Sequence, residues 1–197
     1  MSDANTAASA PFHYPRTNAD LTWDHYLDTD GNALYNDRVG AYGKAFSYDS
    51  EGNVDCESFI DAEGELMTAN DGWAVGEYTW LDSKHKLTER YTTPVGNPAL
   101  IKAGYSGVDR VYDESFNVLQ VTYYDETGHI GANQAGVITQ RNEYDGEGRV
   151  TLSQYYDAQG EPMLLPSIGA YARSVIYDED GFVSRETLTD AEGYLMN

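Results

Sequence analysis

From Leu21 onward the chain alternates short β-branched and aromatic runs with clusters of Asp, Gly, Asn and Ser. The runs "RVTLSQYY", "NVLQVTYY", "GVITQRNEY" and "YARSVIY" have the composition of strands. About 7–9 residues separate successive turn clusters, the length of an ordinary strand in an antiparallel meander. In the first run Val150, Leu152 and Tyr156 fall on one face, with Thr151, Ser153 and Tyr155 on the other. In the second, Val118 and Tyr124 oppose Leu119, Val121 and Tyr123. Large side chains on both faces suit hairpins that each cover a neighbour. No stretch sustains a helical period between paired caps. The prediction is an all-β chain.

The turns repeat in order. A first phrase reads "YDSEGNV", "LDSKHKL", "YDESFNV", "YDGEGRV" and "YDEDGFV", with aspartates at 49, 82, 113, 145 and 178. A second reads "YLDTDGNA", "FIDAEGEL", "YTTPVGNP", "YYDETGHI", "YYDAQGEP" and "LTDAEGYL". A third places a small or aromatic residue after Gly40, Gly72, Gly104, Gly136 and Gly169. Three ordered marks at a period near 32 residues define a tandem repeat. In Asp-x-x-Gly the carboxylate is expected to accept amides two and three residues on, while Gly takes the positive φ that side chains resist. The architecture expected is tandem ~32-residue β-hairpins stacked as an elongated solenoid or twisted antiparallel ribbon. Repeats start near 48, 81, 112, 144 and 177, with a partial one at 21–47. Tyr26, Phe59, Tyr91, Tyr123, Tyr155 and Leu188 are expected to align as a column. The unit at Leu81 is degenerate, with no leading Tyr, His85 in the Gly place and Thr93 for the second Asp. The next has Phe116 for Gly.

These phrases resemble the tyrosine–aspartate (YD, or RHS-like) repeats of large bacterial surface and toxin-shell proteins, whose core is Tyr-Asp-x-x-Gly-x-hydrophobic. More loosely, Tyr155-Tyr156, Gly160 and Gly72-Trp73 are similar to the aromatic and glycine repeats of bacterial cell-wall-binding modules. The resemblance runs from about Leu21 to the end and implies a non-enzymatic, often exported repeat module. The last turn, "DAEGYLMN", ends the sequence without a polar capping repeat, so a longer parent array is expected.

Charge narrows the partners. With 33 acidic and 12 basic residues, the formal net charge is −21. Such a surface repels phosphate backbones, which excludes nucleic acid and disfavours anionic membranes. No apolar run reaches the ~18 residues of a membrane span. The start, "MSDANTAASAPFHYPRTNAD", has no secretory pattern and reads as a disordered lead-in over 1–20. The resemblance thus implies an extracellular or cell-surface setting within a larger protein, and the N-terminus keeps the cytoplasm as the alternative. Cys56 is alone, so it forms no internal disulfide, and it reads as a small buried hydrophobe on a strand.

No catalytic constellation is present. His13, His25, His85 and His129 are scattered, and the carboxylates are periodic, whereas an acid/base pair should be unique. Nucleophile elbows and phosphate loops are missing, so no enzyme and no cofactor is expected. Weak calcium binding at turns such as "DTDG" and "DEDG" stays open, although position twelve of an EF-hand loop would fall on Val39 or Thr189. An exposed ring can stack on a sugar face or a cation. Trp73, Trp80, Tyr42, Tyr105 and Tyr171 are therefore the candidate ligand-binding residues, with Trp73 and Trp80 expected to be the exposed pair. Two functions follow. One is a binding or adhesion module for glycan, cell wall or a protein partner. The other is a spacer, stalk or shell segment without a small ligand, or an accessory region of a larger enzyme.

Overall fold

A computed structural model describes residues 22–196. The expected lead-in over 1–20 lies outside the described residues. Eleven strands follow in chain order: β1 (Thr22–His25), β2 (Gly43–Tyr48), β3 (Val54–Ile60), β4 (Val75–Trp80), β5 (Lys86–Thr92) and β6 (Gly107–Tyr112), then β7 (Val118–Tyr124), β8 (Thr139–Tyr144), β9 (Val150–Tyr156), β10 (Ala172–Tyr177) and β11 (Val183–Thr189). They form one open antiparallel sheet in the order β1 to β11, with each strand beside its chain neighbour. The fold is all-β, and the sheet is an open ribbon of hairpins rather than a closed barrel.

Pairing alternates between strong and weak. Within the hairpin β4–β5 six residue pairs face each other, from Val75↔Thr92 to Trp80↔Lys86. Across the seam β3–β4 only three do: Cys56↔Glu77, Glu57↔Gly76 and Ser58↔Val75. The same contrast recurs at β7–β8 and at β9–β10. Every hairpin also shifts register just before its turn, as between Ser47 and Tyr48 or between Val111 and Tyr112. Each shift leaves one extra residue on the second strand, a bulge that adds local twist.

The turns explain the repeated Asp and Gly. At the first, the Asp49 amide donates to the Asn53 carbonyl at 2.9 Å, and Gly52 donates to Asp49 at 3.1 Å. Asp49 Oδ1 accepts the amides of Glu51 and Asn53, both at 2.9 Å. The carboxylate thus reaches two and four residues on, not two and three as the sequence suggested. The same reach recurs at Asp28, Asp61, Asp113, Asp145, Asp157, Asp178 and Asp190. Five residues lie inside the loop, and Gly takes the fourth place at φ 87° in Gly52.

The unit at Leu81 is in register once the backbone sets the frame. Trp80 pairs with Lys86 just as Tyr48 pairs with Val54, and the Leu81 amide donates to the His85 carbonyl as Asp49 does to Asn53. Trp80 is therefore the leading aromatic, Leu81 stands in the Asp place, and Lys84 rather than His85 stands in the Gly place. The structural steps 49, 81, 113, 145 and 178 are 32, 32, 32 and 33 residues. Asp82 compensates one residue late by accepting the amides of Lys84 at 2.8 Å and His85 at 2.9 Å.

The third mark joins one repeat to the next. The Asn70 amide donates to the Val39 carbonyl at 2.9 Å, and that of Gln134 donates to Ala103 at 3.0 Å. Gly104, at φ +77°, lets this happen, because a Cβ there would stand 2.8 Å from the Gln134 backbone nitrogen.

Candidate functional site

On one face the column Phe59, Tyr91, Tyr123 and Tyr155 does form, each side chain coming from the second strand of a hairpin. The sequence did not reveal that a second set of side chains intercalates it. Trp73 stands between Phe59 and Tyr91, with ring centroids 4.5 and 5.2 Å away. Tyr105 stands between Tyr91 and Tyr123, at 6.3 and 5.1 Å. Val137 takes the corresponding place before Tyr155 and packs with it and Leu165. The residue after each Gly mark is thus a wedge between two repeats. Ala41 and Ala170, both fully buried, fill the place in the terminal units.

Trp73 is only 7% exposed, which corrects the expectation that it lies open. Phe59 and Tyr91 pack against it at tilts of 59° and 56°. Its indole N–H reaches Asp71 at 3.2 Å. The five candidate rings also fail to gather in one place. Trp73 and Tyr105 sit in the ladder. Tyr42 and Tyr171 come one residue later after their Gly marks: their amides donate to Ile60 and Thr189 within their own hairpins, their carbonyls accept the amides of Tyr26 and Tyr155 across the seams, and both are half-buried. Tyr42 contacts Tyr35 edge-on at 5.2 Å.

Trp80 lies at the far end of its strand in a separate motif. Its indole N–H donates to the Val54 carbonyl at 2.8 Å. The Tyr112 hydroxyl donates to Lys86 at 3.0 Å, Tyr144 to Val118 at 2.8 Å and Tyr177 to Val150 at 3.0 Å. Each leading aromatic from Trp80 onward therefore caps the carbonyl that opens the preceding repeat's second strand. That carbonyl lies beyond the three-pair seam, and at Val118 the Asn142 side-chain amide joins the clasp at 3.1 Å. This is the physical content of the Tyr in Tyr-Asp, and only the inter-repeat geometry exposes it. Tyr144→Phe is expected to cost about 0.5–1.5 kcal/mol, the net worth of one hydrogen bond. Urea denaturation with amide exchange at the β7–β8 seam would check it.

Charged groups complete the ladder face. Lys44 bonds Glu57 at 2.5 Å, and the Tyr78 hydroxyl lies 3.5 Å from the same carboxylate. Glu89, 8% exposed, accepts the Tyr91 hydroxyl and pairs with Arg110 at 2.6 Å and Lys86 at 3.8 Å. Burial alone would raise the Glu89 carboxyl, but the Tyr91 hydroxyl and the Arg110 charge hold it below its usual range. Burial, reinforced by Glu57 and Glu89, pushes the phenols of Tyr78 and Tyr91 far above their ordinary value. On the opposite face burial and the bond to Asp109 push Tyr124 up to about 12. These phenols stay protonated donors at physiological pH and offer no base.

A cleft of about 640 Å³ opens between the turns at Asp113 and Asp145, floored by Leu119 and Tyr144. Its aspartates are already engaged. Asp113 Oδ2 accepts Asn117 at 2.9 Å, and Asp145 Oδ2 pairs with Arg149 at 2.7 Å. Among the described residues no group of three or more His, Cys, Asp or Glu side chains could hold a metal.

No protein-family model matches the chain. No curated protein matches it either. Among solved structures it is similar to a chain of the Tc holotoxin pore of Photorhabdus luminescens, with a TM-score of 0.39 and 17% identity. That alignment covers 84% of this chain and 9% of the other, so this chain spans less than a tenth of that protein.

Proposed function

We propose that this chain is a non-enzymatic structural repeat module, an acidic sheet wall or spacer whose aromatic side chains hold successive hairpins together. One observation carries the reading. Three of the five candidate rings are consumed between repeats: Trp73 and Tyr105 as wedges, and Trp80 as a clasp on Val54. Repeats whose large apolar groups face each other gain stability from every added neighbour. The high net charge of −21 keeps such a wall soluble and free of nucleic acid. Its setting within a larger bacterial surface or shell protein rests on the resemblance of its Tyr-Asp phrases.

The test is a titration of the protein with neutral glycans and cell-wall fragments, followed by tryptophan and tyrosine fluorescence. A flat response across the panel is expected, because Trp73 is buried. A saturable change would overturn the structural reading in favour of a carbohydrate-binding module.

A further inference from the structure

Four seams join the five hairpins from β2–β3 to β10–β11, and all share one backbone pattern of three facing pairs. Their charges differ. Strands β3 and β4 contain acids but no Lys, Arg or His, while β7 and β9 contain no charged residue. No strand-to-strand ion pair can therefore cross β3–β4, β7–β8 or β9–β10. The remaining seam sets Glu89-Arg90 on β5 beside Asp109-Arg110 on β6. Consecutive strand residues point to opposite faces, so each acid meets the other strand's base on its own face. Arg110 lies 2.6 Å from Glu89 on the ladder face, and Arg90 lies 2.7 Å from Asp109 on the other. The second is a contact of charges rather than an aligned hydrogen bond at Asp109 Oδ1.

Both hairpins brace these pairs. Glu89 also accepts the Tyr91 hydroxyl, and Asp109 Oδ2 accepts that of Tyr124 at 2.6 Å. The Arg90 guanidinium lies 4.1 Å from the Tyr124 ring centroid and donates to the Val108 carbonyl at 3.2 Å. The four side chains keep only 10% to 36% of their surface in water, which lifts the pairs above the small worth of fully exposed ones. His85 stacks on Phe116 over the same seam, so the two turns that depart from the repeat are joined there. At the other extreme, β9–β10 has no ion pair and only Ala170 in the wedge place. We propose that the four charges form a two-sided ionic lock, which makes β5–β6 the last of the four seams to open. Hairpins β4–β5 and β6–β7 then behave as one unit, and an opening that enters at β9–β10 stops against it. The lock belongs to the sheet and acts whether or not the wall meets a ligand.

The amide of each ladder aromatic donates across one seam: Phe59 to Ala74, Tyr91 to Ser106, Tyr123 to Ile138 and Tyr155 to Tyr171. Amide exchange at these four positions in the full chain reads the seams separately. Protection should be greatest at Tyr91 and least at Tyr155. Glu89→Gln and Asp109→Asn keep the side-chain shape, can still accept the tyrosine hydroxyls and remove only the charge. Each should lower Tyr91 protection by about tenfold and leave Tyr155 unchanged. Adding Arg110→Gln to Glu89→Gln should lower it little further, because the pair is already broken. Asp109 is the more exposed acid, so its variant reads the lock even where Glu89→Gln folds poorly. A maximum at another seam, equal protection at all four, no change at Tyr91 on neutralisation, or an equal fall everywhere would each overturn the proposal.

Discussion

Replacing Trp73 by alanine is expected to destabilise the protein by about 3–5 kcal/mol, the usual cost of truncating a buried large aromatic. The indole is held between Phe59 and Tyr91, and Ala69 and Ala99 belong to the same cluster. Those neighbours hang on hairpins fixed by six-pair ladders, so they cannot close the void. Truncation also unlinks two repeats, because Trp73 belongs to one hairpin while Phe59 belongs to the hairpin before it. Chemical denaturation gives the magnitude, and amide exchange gives the location. Protection should fall across β3–β6 and hold in β9–β11, since repeat stability is built from nearest-neighbour contacts. A loss below about 1 kcal/mol would mean that the ring is not the wedge described here.

Glu89→Ala is expected to cost roughly 2–4 kcal/mol. Truncating one partner of a wholly buried ion pair costs about 3–5 kcal/mol, and Arg110 keeps 23% of its side chain in water, which softens the loss. Without the carboxylate, Arg110 loses its partner and the Tyr91 hydroxyl must find another acceptor. The same group sets an acid limit. Its folded pKa is lowered, so its stabilisation is present above the unfolded value and is lost as pH falls through the folded one. The turn aspartates act in the same direction. Bonds from Asn32 lower Asp28, those from Asn53 lower Asp49 and those from Asn117 lower Asp113. Urea midpoints measured from neutral pH downward should fall below the ordinary carboxylate range, and the fall should be shallower in Glu89→Ala than in the parent. Equal slopes would place the acid sensitivity elsewhere.

Local chemistry was legible in the sequence, and what lies between repeats was not. Asp-x-x-Gly announces a turn because Asp and Gly act within the loop itself, and the strand runs announce themselves by β-branched residues. The column through Phe59, Tyr91 and Tyr155 could be aligned because it repeats. The repeat frame failed at Leu81 because matching Asp82 to Asp49 is chemically sensible and off by one. Only the pairing of Trp80 with Lys86 sets the frame. Trp73 looked like an exposed ring because a Gly-aromatic pair says nothing about what packs against it from the neighbouring hairpin. Phe116 in the Gly place, at φ 65°, is the converse case. Its ring stacks on His85 at 4.6 Å and 8°, which helps hold a backbone conformation that side chains usually avoid.

The alternation of six-pair hairpins with three-pair seams gives the molecule a mechanical grain. Tension applied across the sheet meets its weakest joints at the seams, exemplified by β3–β4, where three residue pairs, the Trp73 wedge and the Trp80 clasp carry the load. Rigid slats joined by narrow hinges yield one joint at a time. Each hairpin unit that pulls free pays out about 32 residues of chain, an extension on the order of 100 Å. The rest of the wall stays standing while that unit lengthens, so the sheet dissipates a pull in graded steps rather than failing at once.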